Sequence, residues 1–216
     1  MGDMTEAREL VANATLWPKV SVFLWDFAPL IHPSHLAGGK PIDPTASVRL
    51  KRYVLEAHDV KPCFHSFPAD DASRLLLLDA EVFDLLAKWL GALDLAGALR
   101  RVMKGADVKA LKSSLAGVYP DVFAYQPYFA RFKPKAEDCS ASGADLGKEA
   151  VKSGYASLYS LVSKLPEGLL HRLRLRLPAD APLPAGDVPA ASPDAMDKVL
   201  LILKLKFPEA YQLCSS

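Results

Sequence analysis

Hydrophobic residues recur at threes and fours over most of this chain, the spacing that puts them on one face of a helix. The clearest run is AEVFDLLAKWLGALDLAGALRRVM, in which Val82, Leu85, Leu86, Trp89, Leu90, Leu93 and Leu99 keep that interval. It predicts one long helix, capped by Asp79 and ended by Gly105. Gly91 and Gly97 lie inside it. Each weakens a helix by roughly 1 kcal/mol relative to Ala, and each offers room for close helix packing.

The same spacing predicts shorter helices on both sides. Residues 5–15 form one, with Glu6 and Glu9 near its positive end. Asp43-Pro44 is a helix start, and Val48, Tyr53, Val54 and Leu55 form the buried face of a helix ending near His58. Asp107 opens another, with Val108, Leu111 and Leu115 inside and Gly117 closing it. Pro120 opens a further one through Tyr125, and Pro127 breaks it. Asp145 starts a helix to Lys164 with Val151, Tyr155, Leu158, Leu161 and Leu165 on one face. Ser192-Pro193 caps a last helix, in which Met196, Val199, Leu200 and Leu203 face inward.

Three stretches depart from that pattern. In residues 17–36, Val20, Val22, Leu24 and Phe27 settle on no single period, so helix and strand compete. Pro29 and Pro33 punctuate the stretch, which predicts a turn at Ile31-His32-Pro33-Ser34 with Ser34 capping the next short helix. In residues 169–178, Leu173, Leu175 and Leu177 alternate with Arg172, Arg174 and Arg176, and this period of two predicts a half-buried strand. Residues 133–147, rich in Ser, Gly and Ala, read as an internal linker, and residues 178–193, with five prolines, as an extended loop. The fold expected is mainly α: one irregular helical domain over residues 1–216, with about eight helices and one or two short β-strands.

Composition narrows the function classes. Half of the 216 residues are hydrophobic and 24% are charged, as in a globular protein. A net charge of +1 gives no reason to expect nucleic acid or an electrostatic membrane anchor. Three scattered cysteines, Cys63, Cys139 and Cys214, point to a reducing compartment rather than a disulfide framework. The N-terminus lacks the pattern of a signal peptide, and no apolar run is long enough to span a membrane. The expectation is a cytoplasmic protein.

Candidate chemistry is sparse. No glycine-rich phosphate loop and no G-x-S-x-G is present. Cys63-x-His65 near His58, with His32 near His35, is the nearest approach to a zinc ligand set, and it reads more simply as loop and surface residues. Cys139 and Cys214 sit where a nucleophile is hard to preorganise. Two features stand out instead. On a strand, Arg172, Arg174 and Arg176 would share one face, either as a basic ridge for an acidic partner or as charges that guard an exposed edge. The turn from Phe27 to Leu36 is rigid and pinned by aromatic and aliphatic residues, and a histidine in such a place is most simply a hydrogen-bonded structural group.

The stretch Phe27-Ala-Pro-Leu-Ile-His-Pro-Ser-His-Leu36 resembles the N-terminal motif of the SctK family, the type III secretion sorting-platform proteins also called YscK, PscK, MxiK or OrgA. Leu95-Ala-Gly-Ala-Leu-Arg-Arg101, with a helix like Val108 to Leu115 after it, is similar to the family's central arginine pair. Ser153-Gly154, then Leu173-Arg-Leu-Arg-Leu-Pro178, then a closing helix from Met196 to Phe207, are similar to its C-terminal part. These matches run in order through most of residues 20 to 207, while residues 133–147 and the helix before Trp17 lie outside them.

The resemblance implies a cytoplasmic adaptor without catalytic activity, cofactor or metal, peripheral to the inner-membrane base of the injectisome. It would join the cytoplasmic domain of the inner-membrane ring protein SctD to the pod protein SctQ, which connects through the stator SctL to the ATPase SctN. Neither nucleic acid nor membrane insertion is implied. Candidate contact residues are His32, Arg100 and Arg101, and the row Arg172, Arg174 and Arg176. Two other readings stand beside it. One is a secretion chaperone or unrelated helical scaffold, although such chaperones are usually small and acidic. The other is a small metal-dependent enzyme using His32, His35, His58, Cys63 or His65.

Overall fold

Helices carry the regular structure. The computed structural model describes residues 16–61, 67, 70–132, 142–184 and 191–215. Among these residues there are eleven α-helices and no strand, so the chain is mainly α and the short strands expected from the sequence are absent. The predicted helix over residues 5–15, with Cys63, His65 and Cys139, lies outside the described residues. The chain divides into two compact units: Met1–Ala80 with Lys164–Ala181 and Glu209–Ser216, and Glu81–Ser163 with Pro182–Pro208.

In the first unit, residues 16–25 form helix α1. Val20, Phe23, Leu24 and Phe27 are buried, and their spacing of three and four resolves the competition in favour of helix. Val22, which obscures that period in the sequence, faces outward. Two 3-10 turns come next, Ala28–Leu30 and Pro33–His35. His32, not Ser34, caps the second: its Nδ1 accepts the Ser34 N–H at 3.2 Å. Helix α2 spans Val48–Ala57 and is capped by Ser47 rather than started at Asp43. The Asp43 carboxylate instead closes a local turn, accepting from the Thr45 N–H at 2.7 Å and the Thr45 hydroxyl at 2.6 Å. The predicted buried face of α2 is mostly absent, since Val54 alone is buried in the helix and Val48, Leu50 and Tyr53 are exposed. Helix α3, Asp71–Arg74, is capped by Asp70 and runs into a buried 3-10 turn, Leu75–Leu77.

The second unit begins one residue into α4, Ala80–Asp94. The long helix expected here is two: Leu95 leaves helical ψ, and α5 continues from Ala96 to Arg100. The bend keeps its backbone bonds, Leu95 N–H to Gly91 O and Leu99 N–H to Leu95 O. Gly105 does not end a helix but opens α6, Gly105–Ser114. Helix α7, Val122–Tyr125, gives way to a 3-10 turn at Gln126–Phe129, where Pro127 removes a helical donor. Helix α8, Gly143–Val162, is capped by Ser142, whose hydroxyl also donates to the Asp145 carboxylate at 2.7 Å. The expected linker is therefore helical from Gly143 onward.

Helix α8 is the spine of this unit, and α6 packs along it. A Cβ on Gly91 would overlap the Ala150 carbonyl oxygen, and one on Gly154 would overlap the Ala87 carbonyl oxygen, so α4 and α8 touch backbone to backbone. Gly97, by contrast, meets nothing. Beside that seam, the Tyr155 hydroxyl donates to Asp84 at 2.8 Å, and Lys88 pairs with the same carboxylate at 2.6 Å.

The predicted strand proves to be helix α9, Glu167–Arg176, in the first unit. Leu169, Leu170, Leu173 and Leu175 are buried, and so are Arg172 and Arg176. A helix buried on most sides carries no polar face, and the alternation of Leu and Arg then mimics a strand's period of two. Helix α10, Ala195–Lys206, buries Val199, Ile202 and Leu203 in the second unit. Helix α11, Pro208–Cys214, comes last, with Cys214 buried.

Candidate interaction surfaces

The arginine row does not form one face. Arg172 and Arg176 are one helical turn apart on α9 and only 3% and 7% exposed. The Arg172 guanidinium donates to Leu24 O at 3.2 Å and Lys61 O at 3.1 Å, and lies 5.5 Å over the Phe27 ring. The Arg176 guanidinium donates to Leu76 O, and to Leu78 O at 2.7 Å, 5.7 Å over the Phe23 ring. Leu24 lies in the last turn of α1, and Leu76 and Leu78 at the end of a 3-10 turn, where carbonyls have no helical donor. The two side chains thus close the open ends of neighbouring elements. Burial lowers the Arg176 pKa to about 10 against the pull of Asp79, so the group stays cationic at neutral pH. Arg174 points outward and pairs with Glu167 at 2.6 Å.

The His32 turn is tied down in the same unit. The His32 N–H donates to Leu175 O at 2.8 Å. Its ring accepts from the Ser34 N–H, and the Ser34 hydroxyl, 2.8 Å from the same ring nitrogen, accepts the Ala179 N–H at 2.9 Å. His35 Nε2 donates to Leu177 O and His171 Nε2 to His58 O, each at 2.9 Å. These three imidazoles are thus engaged with backbone carbonyls and a turn. Among the described residues no three potential ligands converge on a metal position. Burial pushes the Cys214 thiol up to about 12, which keeps it protonated and unreactive.

Around Arg100 and Arg101 the second unit is built differently. Both side chains are exposed at the end of α5, where the helix dipole favours a cation. Arg100 lies 5.4 Å over the Phe123 ring and lines a cleft of about 390 Å³. Leu93, Gln126, Phe129, Phe132 and Lys198 are among its other walls. Lys198 is committed to the buried carboxylate of Asp94. Arg131, next to two of the lining residues, stacks 4.7 Å over Phe132. Met103 and Tyr128 are exposed close by in sequence. In the sequence the Tyr125–Phe132 segment reads only as a broken helix, and its density of aromatic residues near one arginine is the signal available for it.

The first unit has an exposed set of its own. Trp17 and Trp25 of α1 stand out, with ring centroids 5.6 Å apart, as do Val48, Leu50 and Tyr53 of α2, the last 68% exposed. Arg49 and Arg52 are exposed among the α2 residues, and Lys51 ties α2 to Asp26 at 3.0 Å. Among the described residues no helix is long and apolar enough to cross a membrane.

A family model described as YOP proteins translocation protein K (YscK) matches residues 28–213. No curated protein and no solved structure matches the chain. The matched span holds the His32 turn, α2, the Arg100 cleft and α9, and starts after Trp17 and Trp25.

Proposed function

Because the chain belongs to the YscK family and is a type III secretion protein, we propose that it is the adaptor joining the cytoplasmic domain of the ring protein SctD to the pod protein SctQ. Through SctQ it connects indirectly to SctL and the ATPase SctN, at the cytoplasmic side of the inner-membrane base. One observation carries this reading beyond the family. Each compact unit has its own exposed set of the residue types that anchor protein interfaces, Trp17, Trp25 and Tyr53 in one and Arg100, Met103 and Tyr128 in the other. A linker between two proteins needs two such sets.

The test is direct binding of the purified full chain to SctQ and to the SctD cytoplasmic domain by calorimetry. Both are expected to bind at micromolar concentration or tighter. Absence of binding to either protein overturns the adaptor reading.

A further inference from the structure

We propose that the cleft of the second unit takes an acidic segment of a partner protein, with carboxylates on Arg100 and Arg131 and one apolar side chain on Phe129 and Phe132. This assignment rests on the adaptor reading only in taking the partner to be a protein; its chemistry comes from the cleft.

Charge sets the sign of the occupant. Lys198 is neutralised by Asp94, whereas Arg100 and Arg131 have no ion pair among the described residues. Each of these guanidiniums lies over a phenylalanine ring, at 5.4 Å from Phe123 and 4.7 Å from Phe132. A stacked guanidinium keeps its N–H edge available, and that edge matches a carboxylate in two parallel hydrogen bonds. Stacking also limits its rotamers before binding, which lowers the entropy cost of recognition.

The walls set the rest. Leu93, Phe129 and Phe132 offer apolar surface, and about 390 Å³ holds one or two side chains but not a buried chain segment. Arg100, Pro127 and Ala130 are exposed, so the cleft is a surface feature, and exposed Tyr128 adds an interface-type rim. Two arginines on a chain of net charge +1 make a point contact for carboxylates and not a track for a phosphate backbone.

The experiment titrates the full chain into a fluorescein-labelled decapeptide of alternating Glu and Phe, with Gln-for-Glu and Lys-for-Glu versions and a single-stranded DNA decamer as comparators. The acidic peptide is expected to bind and to weaken with salt, while the comparators do not bind. R100E and R131E should each weaken it at least tenfold with unchanged circular dichroism. Phe132→Ala should weaken it while leaving the salt dependence intact, and R174E, in the other unit, should change nothing. Equal binding by wild type and R100E, no binding of the acidic peptide, or preference for DNA overturns the proposal. The adaptor reading fails separately: SctQ and SctD binding wild type and R100E equally removes the cleft assignment alone, whereas peptide binding without either platform protein removes the adaptor alone.

Discussion

The two compact units use the same residue types for opposite ends. The first puts arginines inside, where Arg172 and Arg176 bind carbonyls at the ends of α1 and of the Leu75–Leu77 turn, and leaves Trp17, Trp25 and Tyr53 outside. The second draws α4 and α8 together through Gly91 and Gly154 and leaves Arg100 and Arg131 outside. Arginine is therefore a brace where chain ends offer unsatisfied carbonyls, and, in the proposed cleft, a recognition group where it is stacked on a half-buried ring. Neighbouring acceptors, more than the charge itself, decide which.

The largest effect expected is the loss of a brace. Arg172→Ala or Arg176→Ala strands two or more carbonyls and empties a buried site, and should cost about 3–5 kcal/mol, at about 1–3 kcal/mol for each buried carbonyl left without a donor. Urea unfolding monitored by circular dichroism measures it. Arg174→Ala, on the same helix but half-exposed and paired at the surface with Glu167, should change stability by less than about 0.5 kcal/mol. Similar costs at all three positions would remove the distinction drawn between inward and outward arginines.

Next in size is the glycine seam. Gly91→Ala and Gly154→Ala each place a Cβ on a facing carbonyl, and overpacking of this kind costs about 1–3 kcal/mol. Gly97→Ala, which meets nothing, should stabilise by about 0.5–1 kcal/mol through helix propensity and a less flexible unfolded chain. Thermal melts of the three variants separate close packing from propensity.

Much of this architecture is legible in the chain. The threes-and-fours spacing finds α4, α6, α8 and α10, and Pro127 marks the break after α7. Gly91 stands out as a packing residue because a glycine inside a strong helix needs a reason. Two of the failures share one cause. The strand over 169–178 and the buried face of α2 both rest on hydrophobic patterning alone, which assumes that charged residues face water and apolar ones do not. Helix α9 violates that assumption because its arginines have tertiary carbonyl partners, and α2 violates it because Val48, Leu50 and Tyr53 lie outside. Of the candidate contact residues, His32, Arg172 and Arg176 are engaged internally, and Arg100 and Arg101 are exposed. Three companions of Arg100 in the cleft, Gln126, Pro127 and Phe129, come from a 3-10 turn with no sequence periodicity to announce it.

The smallest effect tests whether the folded chain resists protonation of His58. Burial first, and then the positive charge that His35 and His171 carry when protonated, lower the His58 pKa below the ordinary 6.5. The unfolded chain takes up a proton at the ordinary value, and the folded chain does so only at lower pH. Stability is therefore undiminished above pH 6.5 and falls as the pH drops from there toward the folded-state value. His58→Gln should flatten that part of the pH dependence while leaving the Tm above about pH 7.5 little changed. R100E, whose side chain belongs to the other unit, should retain the full slope. A slope that survives His58→Gln would remove His58 as its source, and a stability that rises on acidification would mean that the His58 imidazole gains a partner for its charged form in the folded chain.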